Sequence, residues 1–170
     1  MTFKELCEQR FSVRKYSEQA VSDDDVQYVL ECARLAPSAC NLQPWRFVVI
    51  KDEGLRAQLK ECYDRDWFSH APLYIVCVTK RDEAWVRSTY DGKHHGDVDI
   101  AIAAEHICLA TAEQGLGSCW VCNFDAVLCK ELFNLPENEE AAVLIPIGTP
   151  KDATPTEKKR KAMEEIVTRI

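Results

Sequence analysis

The chain has no apolar run long enough to cross a bilayer. Its longest, Leu73 to Val78 and Ala141 to Ile147, fall far short of the roughly 20 residues a spanning helix needs. The N-terminal stretch MTFKELCEQRFS has no apolar h-region, so no secretory signal is predicted. There is no basic excess either: the formal net charge is −7, which argues against general nucleic-acid binding, a function that needs a positive footprint. The signature of disorder is also missing, because 46% hydrophobic and 29% charged residues is the composition of an ordinary globular protein. No repeat, low-complexity tract or linker divides the sequence. The 170 residues are enough to bury about 70% of the unfolded surface without help from disulfides or metal. Together these absences predict one soluble, cytoplasmic domain over residues 1–170, with neither a membrane nor a nucleic acid as partner.

The nine cysteines are the unusual feature. Without a secretory signal a disulfide framework has little support, and Cys32, Cys77 and Cys108, set among apolar residues, read as small reduced hydrophobes. Cys119-Trp-Val-Cys122 has the spacing of a redox dithiol or half a zinc site. No second pair completes a zinc site. Ser118–Asn123 reads as a buried strand, in which residues three apart point to opposite faces and the two sulfurs diverge.

Thr2 followed by Glu5 has capping-box spacing and predicts a short helix over Phe3–Gln9. An extended polar stretch, RFSVRKYSEQAV, follows. Ser22 caps a second helix with three aspartates in its first turn, where the helix dipole favours them, and Pro37 bars its continuation. Arg46–Lys51 reads as a strand and Glu53–Tyr63 as a helix. Leu73–Thr79 has no polar alternation and reads as a strand buried on both faces. Lys80–Gly96 is an irregular excursion. The longest helix starts at Asp97, stops at Gly115, and is apolar over most of its circumference, which predicts a central, buried position. Asp125 caps another helix ending near Pro136, and AAVLIPIGTP reads as a strand. The tail TPTEKKRKAMEEIVTRI ends in β-prone residues.

Four clusters could carry chemistry. In Arg10-Phe-Ser12-Val-Arg14, extended alternation aims two guanidiniums and a hydroxyl to one side, a donor set suited to phosphate; a solvated charged stretch is the bland alternative. Pro37-Ser38-Ala39-Cys40-Asn41-Leu42-Gln43-Pro44-Trp45 is stiffened by prolines and carries amides and a hydroxyl that could read the edge of a planar heterocycle, or simply cap and turn the chain. Gly115-Leu-Gly117-Ser118 lacks the third glycine and the preceding strand of a dinucleotide fingerprint; its small residues suit close approach to something flat. Lys158-Lys159-Arg160-Lys161 is a solvated helix face or a phosphate clamp. His106 reads as a satisfied core residue. His94 and His95, near Asp97 and Asp99, are an unspecific metal candidate, and no metal is expected.

RFSVRKY, APSACNLQPWRF, DIAIAAEHICLATAEQGLGSCWVCNFD and LIPIGTP occur in that order, and the ordered set resembles the nitroreductase family of FMN-dependent oxidoreductases over nearly the whole chain, about Leu6 to Val167. The resemblance implies an α+β fold, a central and mostly antiparallel sheet flanked by helices. It also implies an intertwined homodimer with C-terminal strand exchange, Ile166–Ile170 adding to the partner's sheet, and FMN at the interface. It assigns the ribityl phosphate to Arg10, Ser12 and Arg14, joined by Lys158 and Arg160. Pro37, Ser38, Ala39 and Asn41, with Gln43 close by, would reach the flavin from the other subunit, and the backbone at Cys122 and Asn123 would face its N5 edge. NADH or NADPH would serve as transient hydride donor and a nitroaromatic or quinone-like molecule as acceptor, with ping-pong kinetics. No general acid, base or nucleophile is evident, as expected where the flavin does the bond-making. Dehalogenation, flavin fragmentation or a non-enzymatic dithiol-sensing role are the competing readings. Three departures from the family pattern stand out: the short Lys80–Gly96 excursion, which should leave the pocket open; a thiol at Cys122; and no lysine in DRDWFSHAP, where Arg65 could substitute.

Overall fold

The computed structural model describes residues 1–152, 155 and 157–170. The capping box of Thr2 and Glu5 starts α1 (Phe3–Gln9), and the Ser22 hydroxyl accepts Asp25 N–H to start α2 (Asp23–Arg34). There follow β1 (Trp45–Ile50), α3 (Glu53–Cys62), a 3-10 segment over Asp66–His70 and β2 (Leu73–Lys80). Within the expected excursion lies a small hairpin, β3 (Val86–Arg87) and β4 (Lys93–His94), closed by the Arg87–Asp91 ion pair. Then come α4 (Gly96–Glu113), β5 (Gly117–Ser118), α5 (Ala126–Leu132), capped by Asp125, β6 (Glu139–Gly148) and α6 (Met163–Ile166). Among the described residues no helix is long and apolar enough to cross a membrane.

The sheet has the order β1-β2-β6-β5 with every neighbouring pair antiparallel. Alternation along β2 sends successive side chains to opposite faces. Leu73, Ile75 and Cys77 pack with Val29 and Ala33 of α2 and with Ile100, Ala104, Ile107 and Cys108 of α4. Tyr74, Val76 and Val78 pack with Leu59 and Cys62 of α3, Phe68 and Cys129 of α5. The unbroken apolar run of β2 therefore reflects helices on both faces, and the fold is α+β. Each buried Val, Leu or Ile here stabilises by about 1.5–3 kcal/mol over an exposed one.

Three expectations are corrected. First, Ser118–Asn123 is not a continuous strand. β5 holds only Gly117–Ser118, and pairing resumes as a single bridge between Val121 and Leu144. The register is unchanged across the gap; the residue opposite Cys119 is Pro146, whose carbonyl still accepts Cys119 N–H at 3.4 Å but which has no N–H to return the bond. Secondly, α4 is buried on one side only. Val98, Ala101, Ile102 and Leu109, with Phe3 of α1, line an open apolar surface groove. Thirdly, Ile166, expected to open an extended end, instead closes the single turn α6, and the chain becomes extended at Val167.

The segment between α1 and α2 positions the site. Val13 N–H donates to Ser118 O, Ser12 bridges Ser118 in parallel sense, and Tyr16 bridges Pro150. The buried Tyr16 hydroxyl donates to Val13 O at 2.7 Å, and burial holds that phenol protonated, well above its ordinary value. Residues 10–16 are thereby laid along the edge of β5.

Candidate functional site

Arg10 and the tail meet. The Arg10 guanidinium is only 20% exposed, and its Nε lies 3.9 Å from Glu105 Oε1 on α4. The Lys158 ammonium donates to Cys7 O at the end of α1. Burial, then the neighbouring cations Arg10 and Arg160, hold Lys158 below its ordinary value. Sequence separation of some 150 residues is thus closed into a cluster of three cations beside, among the described residues, the carboxylate of Glu105. The Ser12 hydroxyl is within hydrogen-bonding reach of Cys119, whose thiol is pushed up by burial and drawn back by Arg14, Ser12 and Arg10. Arg10, Ser12 and Arg14 therefore all act on the environment of one buried thiol. The Arg14 guanidinium nonetheless turns away from the tail, 5.6 Å from the centroid of Trp67.

The loop from Pro37 to Pro44 contains a 3-10 turn over Ala39–Asn41. Cys40, Asn41 and Gln43 all have positive φ, at 51°, 55° and 52°, a conformation that costs non-glycine residues roughly 1–2 kcal/mol each. Internal bonds hold it: Ser38 Oγ accepts Gln43 N–H at 2.9 Å, and the Gln43 amide donates to Asn41 O at 3.1 Å. Asn41 and Gln43 are exposed, and Ser38 and Ala39 half-buried. Asp99, in the first turn of α4 and 2% exposed, accepts Ala39 N–H at 2.9 Å.

Within one chain these two clusters lie apart. Asp99 and Glu105 are six residues apart on α4, about 9 Å of rise and roughly 240° around the axis, so the loop and the cations border different faces of that helix.

Cys122 and Asn123 are exposed, immediately after the broken strand. The indole N–H of Trp120 donates to Cys122 Sγ at 2.8 Å. Trp120 and Cys122, with Phe124, Ala101 of α4 and the β6 bulge at Ala142, line a cavity of about 340 Å³. Cys119 is 2% exposed while Cys122 is open to solvent, so the two sulfurs lie in different surroundings although the strand expected to separate them is broken.

Other candidates are engaged elsewhere. Gly115 has φ 73° and ends α4, and a Cβ at Gly117 would lie 2.5 Å from Val13 Cγ2. The close approach there is to a core valine, which corrects the expectation of a flat ligand. His106 Nδ1 lies 3.0 Å from Cys32 O, joining α4 to α2 as a satisfied, half-buried residue. His94 Nε2 lies 2.7 Å from Arg81 O, and the His95 ring packs on Trp85 at 4.9 Å. Sequence reasoning missed Trp67 and Trp120 outright and read Asp99 only as a metal candidate. For Asp99 a signal existed, a carboxylate within an otherwise apolar helix.

The antiparallel sheet between two helical layers, with the candidate residues at the edge of β5 and around α4, defines the class as an α+β protein in which Arg10 and Lys158, from the two ends of the chain, come together. The sequence model of the nitroreductase family matches residues 7–65 and 56–149. A protein of Archaeoglobus fulgidus named as a candidate NADH dehydrogenase/NAD(P)H nitroreductase is 30% identical over 154 residues, 84% of this chain and 82% of that one. The crystal structure of a nitroreductase family protein from Clostridium difficile 630 superposes with a TM-score of 0.90 at 34% identity, covering 99% of this chain and 98% of that one. An FMN-dependent nitroreductase of Clostridium difficile R20291 gives a TM-score of 0.75 at 26% identity, with 94% and 92% covered. The chain belongs to the nitroreductase family.

Proposed function

We propose that the chain is an NAD(P)H-dependent oxidoreductase that binds FMN between two copies of itself and reduces small electron-poor acceptors, nitroaromatic or quinone-like. The observation that carries this is the meeting of Arg10, Lys158 and Arg160 beside one carboxylate among the described residues, Glu105. In a chain of net charge −7, three cations facing one carboxylate leave a local surplus of positive charge, and a phosphate dianion with forked, charge-assisted bonds is the group that neutralises it. The donor set fits FMN.

When bound, FMN would supply the two-electron redox chemistry, taking hydride from NADH or NADPH and giving it to the acceptor. The chain's own residues would bind and orient. Arg10, Lys158 and Arg160 would hold the phosphate, with Ser12 as the neutral donor. Pro37, Ser38, Ala39 and Asn41, with Gln43 behind them, would form a wall over the site of the partner copy. The backbone at Cys122 and Asn123 would line the reacting edge, with the Cys122 side chain held by the indole N–H of Trp120. Donor and acceptor would use the same opening in turn, which gives ping-pong kinetics.

The second copy is required because the loop and the cations border different faces of α4, and the open apolar face of that helix is where a partner would seat. The test is FMN titration of the Arg10→Ala/Lys158→Ala double variant. Affinity should fall by at least about a hundredfold, two charge-assisted bonds at about 1.5–3 kcal/mol each, with the fold intact by circular dichroism. Unchanged affinity would overturn the phosphate assignment.

A further inference from the structure

We propose that Asp99 is a positioning residue: it holds the Pro37–Pro44 loop in the conformation that retains the cofactor, without touching the cofactor itself. This rests on the reading that the loop walls the partner's flavin.

Three residues of the loop sit in left-handed backbone, and such a conformation persists only where the surroundings over-determine it. Most of the loop's hydrogen bonds are internal, between Ser38, Ala39, Asn41, Leu42 and Gln43. The exit of the loop is tied by Lys80 N–H donating to Pro44 O at 2.9 Å. Its centre has one side-chain bond from elsewhere among the described residues, Ala39 N–H to Asp99 Oδ1 at 2.9 Å. Without it the strained turn has no anchor to the helix beneath.

Asp99 bears the cost of that task. A carboxylate 2% exposed is expensive to bury unless it is paired or well bonded, and Asp99 makes no ion pair among the described residues. It is stabilised by its place in the first turn of α4, where the helix dipole favours negative charge, and by Ala39 N–H. Its other oxygen, Oδ2, is buried with no hydrogen-bond partner among the described residues. Among the described residues, the one bond its carboxylate makes is to the loop. Further along the same helix Glu105 stands beside Arg10, so α4 carries a contact to each half of the proposed site.

The test compares Asp99→Ala and Asp99→Asn in the full chain by hydrogen exchange of the apo protein and by FMN titration. Asn keeps an oxygen for Ala39 N–H but not the charge, so it should move both readings by only about threefold from the parent chain. Ala should raise exchange at Ala39–Leu42 at least tenfold and weaken FMN about tenfold, the loss of one charge-assisted bond. Should Asp99→Ala fail to fold, Ala39→Pro removes the same bond from the other side. Ser38, at φ −141° and ψ 161°, is in the backbone region that precedes proline without strain, and the first position of a helical turn tolerates proline. Loop exchange unchanged in these variants, or Asn as damaging as Ala, would overturn the clamp. A loosened loop with unchanged FMN affinity would instead overturn the loop's assignment to the flavin, and with it the role given to Asp99.

Discussion

The guanidinium of Arg14 lies 5.6 Å from the centroid of Trp67, while Arg10, four residues earlier on the same extended segment, stands beside Lys158 and Glu105. Two arginines with the same alternation thus serve different surroundings. Stacking over an indole offers Arg14 a cation–π contact of about 0.5–2 kcal/mol and takes its charge away from the tail cluster. Arg14→Ala should therefore weaken FMN binding at least about tenfold less than Arg10→Ala, which removes a charge-assisted bond. Flavin fluorescence titration of the two variants measures this directly; equal losses would return Arg14 to the phosphate group.

The open face of α4 gives a second expectation. Ile102 lines it with Val98, Ala101 and Leu109. If a second copy seats there, Ile102→Arg buries an unpaired charge at the contact, a change that costs several kcal/mol. The variant should elute as a folded monomer in size-exclusion chromatography with light scattering, and it should lose FMN although every proposed ligand is intact. A monomer that retains FMN with parental affinity would contradict a shared site.

Gly117 tests the correction made to the glycine cluster. A methyl there would meet Val13 Cγ2 at 2.5 Å, so Gly117→Ala should destabilise by about 1–3 kcal/mol. Adding Val13→Ala should recover much of that loss in thermal unfolding. A stable single variant would mean that the glycine is kept for some other approach.

The thiols make the dithiol-sensing alternative testable. Cys7, Cys40 and Cys122 are exposed and should react rapidly with an aromatic disulfide reagent at neutral pH. Burial pushes the Cys108 and Cys129 thiols up to about 12, so they should react only on unfolding. Cys119 is buried, and a mild oxidant should leave the count of accessible thiols unchanged. Joint loss of Cys119 and Cys122 on oxidation would favour a redox role for the pair.

Much of the fold was legible because its signals are local. Thr2 with Glu5, Ser22 and Asp125 each announced a helix start and each caps one. The apolar run from Leu73 announced a strand covered on both sides. What was not legible depends on partners distant in sequence. The gap after Ser118 is caused by Pro146 lying opposite Cys119, a pairing visible only once β5 and β6 are in register. The turn of Arg14 toward Trp67 and the bond from Asp99 to Ala39 join segments 53 and 60 residues apart, beyond any spacing rule. The convergence of Arg10 with Lys158 was suggested by the family resemblance, not by periodicity; the folded chain brings the two together with Arg160, while FMN itself is a proposal.

The most direct test of the central claim is the visible spectrum of the purified protein, recorded before and after anaerobic addition of NADH or NADPH. The account predicts flavin bands, present on isolation or restored by added FMN, that bleach on reduction. A colourless protein that takes up no added FMN would contradict it.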